Sequence, residues 1–290
     1  MSKVWFITGA SRGFGLLIAK DALARGDQVV ATARNPETVT AALGAHPNLL
    51  ALRLDVTQEA PAVLAASAAV ERFGRIDVLV NNAGYGLLAS VEEATDAEIR
   101  AQYDTNVFGL LNVTRAVLPH MRARGAGHVI NISSVGGYKS YAGWGIYTST
   151  KFAVEALTES LAMELAPLGI HATTVEPGFF RTDFLDASSM KDASQPIADY
   201  AATVGEMRTL MAGVNHRQPG DPQKLSLAIL QLADAKQPPV RLPLGSDTVA
   251  GIREKNAFVE QELAQWIGVA MSTDHDDVAA TVAAALRQAA

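Results

Sequence analysis

Short apolar runs recur along the chain at positions 4–7, 28–33, 49–56, 76–80, 128–132 and 170–175. Runs of this length, bounded by Gly, Asn, Asp or Ser, are what strands buried on both faces look like. Between them, over 14–25, 58–73, 96–124 and 147–168, apolar residues return at helical spacing, which predicts amphipathic helices. Strand and helix alternating at this interval predict βαβ units around a parallel sheet. Right-handed crossovers then place helices on both of its faces. Local signals agree. Thr95 stands before Asp96-Ala97-Glu98 as an N-cap with acids in the first turn, and Ala166-Pro167-Leu168-Gly169 ends the helix that begins near Tyr147. Pro219-Gly220 and Asp221-Pro222 open a further segment, and Pro238-Pro239 precedes a last edge strand over 240–244.

The rhythm breaks over 183–220, a stretch with Ser, Asp and Met and only partial helical period. An insertion of that length in an α/β protein is expected to be a substrate loop or lid. From Gly245 the chain reads helical to Trp266, and an Ala-rich helix is expected from about Val278, making 246–290 a C-terminal helical extension. With no internal repeat and no low-complexity linker, residues 1–290 read as a single domain.

Composition narrows the functional classes. The chain has 290 residues, 24 Lys+Arg against 30 Asp+Glu, a net charge of -6 and no cysteine. A chain this long buries a large core without staples. The absence of Cys removes disulfides, thiolate metal sites and Cys nucleophiles, and fits a reducing, cytoplasmic setting. The acidic balance argues against nucleic-acid or membrane partners, since no excess of basic charge is available to track phosphates. The apolar run at 4–7 is too short for a signal segment or a span. The six histidines are scattered without ligand spacing, so no metal site is expected.

Candidate chemistry begins where the first strand ends. Thr8-Gly9-Ala10-Ser11-Arg12-Gly13-Phe14-Gly15 is a glycine-rich strand-to-helix turn. Glycine permits positive φ and close backbone approach, and the helix that follows offers free N–H groups and a positive dipole end to a pyrophosphate. At the end of the second strand an acidic residue would select the ribose 2′-OH of NAD, and a basic one the 2′-phosphate of NADP. Here Ala33 is followed by Arg34, and Arg12 lies in the glycine turn. Two guanidinium groups suit a dianionic phosphate, so the expected cofactor is NADP(H). Further on, Tyr147 and Lys151 lie four apart on one helix and share a face. Bringing a phenol from pKa ~10 to ~7 needs roughly 4 kcal/mol. An ammonium at ~4 Å supplies about that much at an effective dielectric near 20. The lysine is therefore expected to make the tyrosine acidic.

These motifs together resemble the short-chain dehydrogenase/reductase family, in its shorter-chain subtype. The resemblance covers roughly residues 3–244. It rests on the glycine turn, on Asn81-Asn82-Ala83-Gly84, on Asn106 and on Ser134, thirteen residues before the tyrosine. Tyr147-Thr148-Ser149-Thr150-Lys151 and Pro177-Gly178 with Thr182 complete it. It implies a Rossmann fold with a doubly wound seven-stranded parallel sheet in the order 3-2-1-4-5-6-7. It implies reversible hydride transfer between NADPH and a ketone or aldehyde. In that reaction Tyr147 is the general acid/base, Ser134 stabilises charge on the carbonyl oxygen, Lys151 holds the nicotinamide ribose and Asn106 binds a relay water. Ser133 is the alternative should the spacing mislead. Gly9, Ser11, Arg12, Gly13, Phe14 and Gly15 would bind the cofactor, as would Arg34, Asp55, Val56, Asn82, Ala83, Gly84, Pro177, Gly178 and Thr182. Tyr85, Tyr141, Trp144, Phe179 and Phe184 flank these motifs and suggest a cleft for a hydrophobic carbonyl or alcohol. The family's habit of pairing the helices that carry Asn106 and Tyr147 implies a homodimer or homotetramer. A non-catalytic NADP-binding regulator and a nicotinamide-recycling epimerase or dehydratase remain as alternatives.

Overall fold

The structure is a computed structural model that describes residues 2–275 and 278. The first of two compact units runs through Val249. Its sheet strands are β1 (Val4–Ile7), β2 (Gln28–Ala33), β3 (Leu49–Arg53), β4 (Val78–Asn81), β6 (Gly127–Ile132), β7 (Ile170–Pro177) and β9 (Arg241–Leu244). They form one seven-stranded sheet in the order β3-β2-β1-β4-β6-β7-β9. Every pairing is parallel. Counted along the chain, that is the expected 3-2-1-4-5-6-7 order of a doubly wound fold.

The apolar runs are continuous because both faces of the sheet are covered. Along β1, Trp5 and Ile7 join a core with Ile18 and Ala22 of α1 (Gly13–Ala24) and Leu225 and Ile229 of α8 (Pro222–Asp234). Val4 and Phe6 point the other way. They pack with Ala62 and Ala66 of α3 (Glu59–Phe73) and Val113 and Val117 of α5 (Gly109–Arg124). This is the two-residue alternation of a strand serving two cores at once. Each fully buried large side chain contributes roughly 1.5–3 kcal/mol.

A polar ladder crosses the second core. Asn81 Nδ2 donates to Asn131 Oδ1 and to Thr114 Oγ1, both at 2.9 Å, and Asn131 Nδ2 donates to Thr158 Oγ1 at 2.8 Å. It links β4 and β6 to α5 and to α6 (Gly145–Leu165).

Several elements differ from the sequence expectation. The helix predicted over 96–124 is broken. Thr95 and Glu98 close a capping box on α4 (Asp96–Tyr103), and a π-helical turn, Asp104–Phe108, then precedes α5. Gly109, whose N–H closes the π turn on the Asp104 carbonyl, has no room for a side chain, since a Cβ there would lie 2.6 Å from Val56 Cγ2. An additional helix, α2 (Pro36–Leu43), starts from Asn35, whose side chain caps Glu37 N. The segment 183–220 contains β8 (Met190–Asp192) and α7 (Glu206–Val214). β8 pairs in parallel with β5 (Gly86–Leu88), making a small second sheet. From Gly245, α9 (Ser246–Met271) carries the chain into the second compact unit, which starts at Ala250. The helix expected beyond Val278 lies outside the described residues. Among the described residues no helix is long and apolar enough to cross a membrane.

Candidate active site

The turn after β1 is held almost entirely by backbone. Gly9 and Gly13 have φ of +64° and +54°, a region that side chains with a Cβ enter at a cost. At Gly15 a Cβ would sit 2.6 Å from the Gly9 carbonyl oxygen and 2.6 Å from Asn82 Nδ2. Asn82 Nδ2 donates to the carbonyls of Thr8 and Gly9 at 2.9 and 3.1 Å. Thr8 Oγ1 accepts the backbone N–H groups of Asn82 and Ala83 at 2.9 and 3.0 Å. Thr8, which opens the motif without a role assigned from sequence, is thus a structural member of the site. Arg12 caps α1 without a side-chain hydrogen bond, and the first turn of α1 holds no acid. The leading N–H groups and the positive end of the helix dipole therefore face outward unneutralised.

Around this turn, Phe14 meets Phe180 edge-on at 5.6 Å, and Ser11 is half-buried. Arg12 Nη2 donates to the Ser188 carbonyl at 2.8 Å, tying the turn to the 183–220 segment. Arg34 is exposed just past β2 and makes no ion pair among the described residues. Asp55 accepts from Thr57 N and Oγ1 at 3.1 and 2.8 Å, and Val56 beside it is buried.

The chemistry-bearing side chains meet at the start of α6. Ser134 caps a 3₁₀ turn, Val135–Gly137, and accepts Gly136 N at 3.0 Å. Ser134 and Tyr147 lie together, since a Cβ on Gly136 would be 3.3 Å from Ser134 Oγ and 3.5 Å from Tyr147 Cε1, and Ser134 favours the ionised phenol. Ser133 instead points into the interior, buried, with an Oγ that has no partner among the described residues, so of the two serines it is Ser134 that reaches the tyrosine. Lys151 is buried, lies 5.8 Å from the Tyr147 ring centre and donates to the Ile132 carbonyl at 2.8 Å. Asn106, in the π turn, uses both of its Nδ2 hydrogens and one acceptor site of Oδ1. Its Nδ2 donates to Tyr85 O at 3.0 Å and Thr150 Oγ1 at 3.1 Å, and its Oδ1 accepts Tyr85 N at 3.1 Å. A Cβ on Gly84 would lie 3.2 Å from Asn106 Oδ1 and 3.7 Å from Lys151 Nζ. Gly84, Asn106 and Lys151 therefore converge on one spot, and the π turn is what brings Asn106 there.

The electrostatics correct one expectation. Burial pushes the Tyr147 phenol up to about 12, with Ser134 opposing. Burial pushes Lys151 down to about 8, with Glu155 opposing. The ammonium was expected to dominate the phenol, but it is anchored on a backbone carbonyl, and the loss of water around the ring outweighs it. In this state Tyr147 is a protonated donor.

Four of the five candidate pocket residues surround Tyr147. Trp144 and Phe184 hold its ring at 5.4 and 5.7 Å between centres. Tyr141 and Phe179 belong to the same apolar cluster, with Leu88, Leu185 and Met211. Tyr85 stands outside that cluster, and burial together with Asp104 and Glu98 raises its phenol above the ordinary value. After β7, Gly178 N donates to the Leu244 carbonyl at 3.0 Å. A Cβ on Gly178 would lie 2.3 Å from the carboxylate oxygens of Asp247, which accepts Phe179 N at 2.7 Å. Thr182 Oγ1 accepts Phe184 N at 3.3 Å, turning the chain into the 183–220 segment. Asp247 carried no sequence signal, because nothing local marks an acid that closes a turn 68 residues upstream. No cluster of metal-ligating side chains occurs among the described residues.

Comparison with known proteins agrees with this geometry. The model of the short chain dehydrogenase family matches residues 3–193. The chain belongs to that family. Among curated members it is 40% identical over 252 residues to the oxidoreductase BOA17 of Botryotinia fuckeliana, covering 86% of this chain and 91% of that protein. It is 37% identical over 244 residues to a 3-ketodihydrosphingosine reductase of Bacteroides thetaiotaomicron, covering 84% and 88%. A short-chain dehydrogenase from Streptomyces avermitilis superposes with a TM-score of 0.88 at 43% identity, over 95% of this chain and all of that one. A Burkholderia phymatum member in complex with NAD superposes at 0.78 and 26%, over 90% and 95%. ElxO with NADP bound superposes at 0.72 and 27%, over 86% and 100%. This short-chain dehydrogenase is thus an oxidoreductase with the family's seven-stranded sheet.

Proposed function

We propose that the protein is an NADP(H)-dependent carbonyl reductase, reversible as an alcohol dehydrogenase, that acts on a hydrophobic ketone or aldehyde. The observation that carries this reading is the Ser134–Tyr147–Lys151 constellation opening onto an aromatic cluster. The turn after β1 fits a dinucleotide. Its helix end is uncapped by side chains and free of acid, and a Cβ on Gly13 would meet nothing within 4 Å, so there is room where a pyrophosphate would lie. Relatives bound to NAD and to NADP support a nicotinamide cofactor. The choice of NADP(H) rests on Arg34, exposed and without an ion pair among the described residues, with Arg12 in the glycine turn as the second cation.

When bound, the nicotinamide supplies or accepts the hydride. In reduction Tyr147 donates its proton to the carbonyl oxygen as that oxygen gains charge. A phenol held near 12 is protonated throughout the neutral range and still acidic enough to protonate an alkoxide. Ser134 donates a second hydrogen bond to the same oxygen. Lys151 and Asn106, converging beside Gly84, hold the ribose side and the path of the replacement proton. Trp144, Phe184, Tyr141 and Phe179 exclude water and seat an apolar substrate. Exposed Phe108 and Phe152, on the elements that carry Asn106 and Tyr147, support assembly into a homodimer or homotetramer.

The test is depletion of NADPH, with NADH in parallel, against aliphatic, aryl and long-chain ketones and aldehydes. The expected result is turnover with NADPH that improves with apolar substrates. Nucleotide binding without turnover on any carbonyl would favour a regulatory role instead.

A further inference from the structure

One helical turn after Lys151 the same helix buries a second ionisable group. Glu155 is 3% exposed, and Glu176, on β7, is 1% exposed. Thr174 and Glu176 lie two apart on β7 and share a face of the strand, and Thr174 Oγ1 donates to Glu155 Oε2 at 2.9 Å, so the two carboxyls are neighbours. Two ionised carboxylates only accept hydrogen bonds and repel one another, so two buried side by side call for a proton between them. The surroundings do little to neutralise them. Glu155 Oε2 accepts Thr174 Oγ1 at 2.9 Å, while Oε1 of both glutamates has no partner among the described residues. Gly137 is closed over Glu155, since a Cβ there would lie 3.0 Å from Glu155 Oε1 and 2.5 Å from Ser133 Oγ. The charged and titratable groups that face the pair are few. Lys151 and Glu159 come from α6. Arg241 of β9 has Nε 3.6 Å from Glu155 Oε2 and Nη2 3.1 Å from Glu159 Oε1. The Tyr138 ring lies 5.6 Å from the Arg241 guanidinium. Arg241 is shared with an exposed carboxylate and cannot balance two buried charges.

We propose that Glu155 and Glu176 form a buried acid pair that holds one proton between them. The pair's remaining negative charge, carried by Glu155, keeps Lys151 in its ammonium form. Both glutamates are positioning residues for the Tyr147–Lys151 couple, and neither touches substrate. Electrostatics point the same way. Burial, then Glu155, push Glu176 up to about 7, with Arg241 opposing, and Glu155 opposes the downward push of burial on Lys151. A lysine buried among apolar groups would otherwise tend to shed its charge near neutrality. One full negative charge a turn away counters that tendency. Two would carry a prohibitive desolvation cost, which the shared proton avoids.

The inference rests on the proposed reductase reading only for its functional consequence, so the test has a readout free of turnover. The probe is the whole protein labelled at glutamate Cδ and lysine Cε, titrated by NMR. In the wild type the Glu176 carboxyl is expected to titrate in a step near neutral pH. Glu176→Gln is expected to abolish the neutral step. Glu155→Gln is expected to move the Lys151 titration about one pH unit toward acid, which Glu176→Gln does not do. The alkaline limb of turnover against pH is expected to move with Lys151. A Glu176 that titrates below pH 5, or a Lys151 that Glu155→Gln leaves unmoved, would overturn the proposal. If no carbonyl is turned over, the NMR arms still decide the pair and only the reductase reading fails. A merely structural role would lower activity equally at every pH and leave the Lys151 titration in place.

Discussion

The turn after β1 and the segment 183–220 meet at the Arg12–Ser188 bond, yet they are held in opposite ways. The turn is fixed by sterics and neutral hydrogen bonds, through two left-handed glycines, one glycine with no room for a Cβ, and the Asn82 amide clamped on two carbonyls. The segment is a run of short pieces pinned by charge. Arg208 Nη2 meets the buried Glu93 Oε2 at 2.7 Å, and Glu93 Oε1 accepts Ile197 N at 2.9 Å. Tyr200 donates to Glu92 at 2.7 Å, and Asn215 to Asp186 at 2.7 Å. The first kind of hold is insensitive to solution conditions. The second depends on protonation and salt, which suits a wall that must admit a substrate.

The largest expected effect is on the rigid side. Tyr147→Phe should lower turnover by about 10³-fold while the melting temperature and nucleotide affinity stay near those of the wild type. Turnover retained in this variant would remove the phenol from proton transfer. Gly15→Ala forces a carbon to within 2.6 Å of a backbone oxygen. It should cost about 1–3 kcal/mol in denaturant unfolding and more than tenfold in nucleotide affinity by calorimetry. Arg208→Ala leaves Glu93 buried without its cation, which costs about 3 kcal/mol. That cost should appear locally, as faster proteolysis within 183–217 and a raised KM at little change in kcat. An unchanged cleavage rate would mean that the segment is not held by this pair.

The same contrast should respond to pH. Burial raises the Glu93 carboxyl, but Arg208 and the N–H groups of Ser90 and Ile197 outweigh it and hold the carboxyl down to about 2. Its support is complete above the ordinary carboxylate value and is lost as the pH falls toward 2. Amide exchange in 183–217 should therefore rise with acid before exchange in the turn does. Glu176 runs the other way. A carboxyl raised to about 7 favours the fold most when protonated, so global stability should decline as the pH rises from 5 through 7, and Glu176→Gln should flatten that decline. The smallest effect is on selectivity. Arg34→Asp should weaken NADPH roughly tenfold more than NADH, and equal losses would count against the 2′-phosphate pocket.

The difference between the two regions is also the difference between what could and could not be read from residue order. Buried parallel strands announce themselves as apolar runs, and the site residues sit at their ends with short, local spacings, so β1, the glycine turn, Ser134, Tyr147 and Lys151 were legible. The ladder of β5 on β8 was not. Each strand is three residues long, and the partners lie about 100 residues apart. The break at Asp104–Phe108 left no mark because its residues suit an α-helix equally well, and the close approach of Val56 to Gly109 beside it is tertiary. Glu155 follows Lys151 by four residues and shares its face, but nothing in the residue order marks that acid as buried, and only the fold reveals that Thr174 lies against it. The acidity of Tyr147 was misjudged for a related reason, since spacing shows that the lysine is near but not that water is gone.

The ladder of Asn81, Asn131, Thr114 and Thr158 has a consequence for α6. Sliding that helix by one turn, or rolling it by one residue, would strand the Thr158 and Asn131 ends in a dry interior at about 1–3 kcal/mol for each lost partner. The helix is therefore keyed like a shaft in a slot, with its angular setting chosen deep beneath the cleft. Mutation can repaint the aromatic walls for a new substrate while the phenol keeps its aim, so the face from which a carbonyl is approached is inherited from the interior of the protein, and the lining of the pocket only chooses what is presented to it.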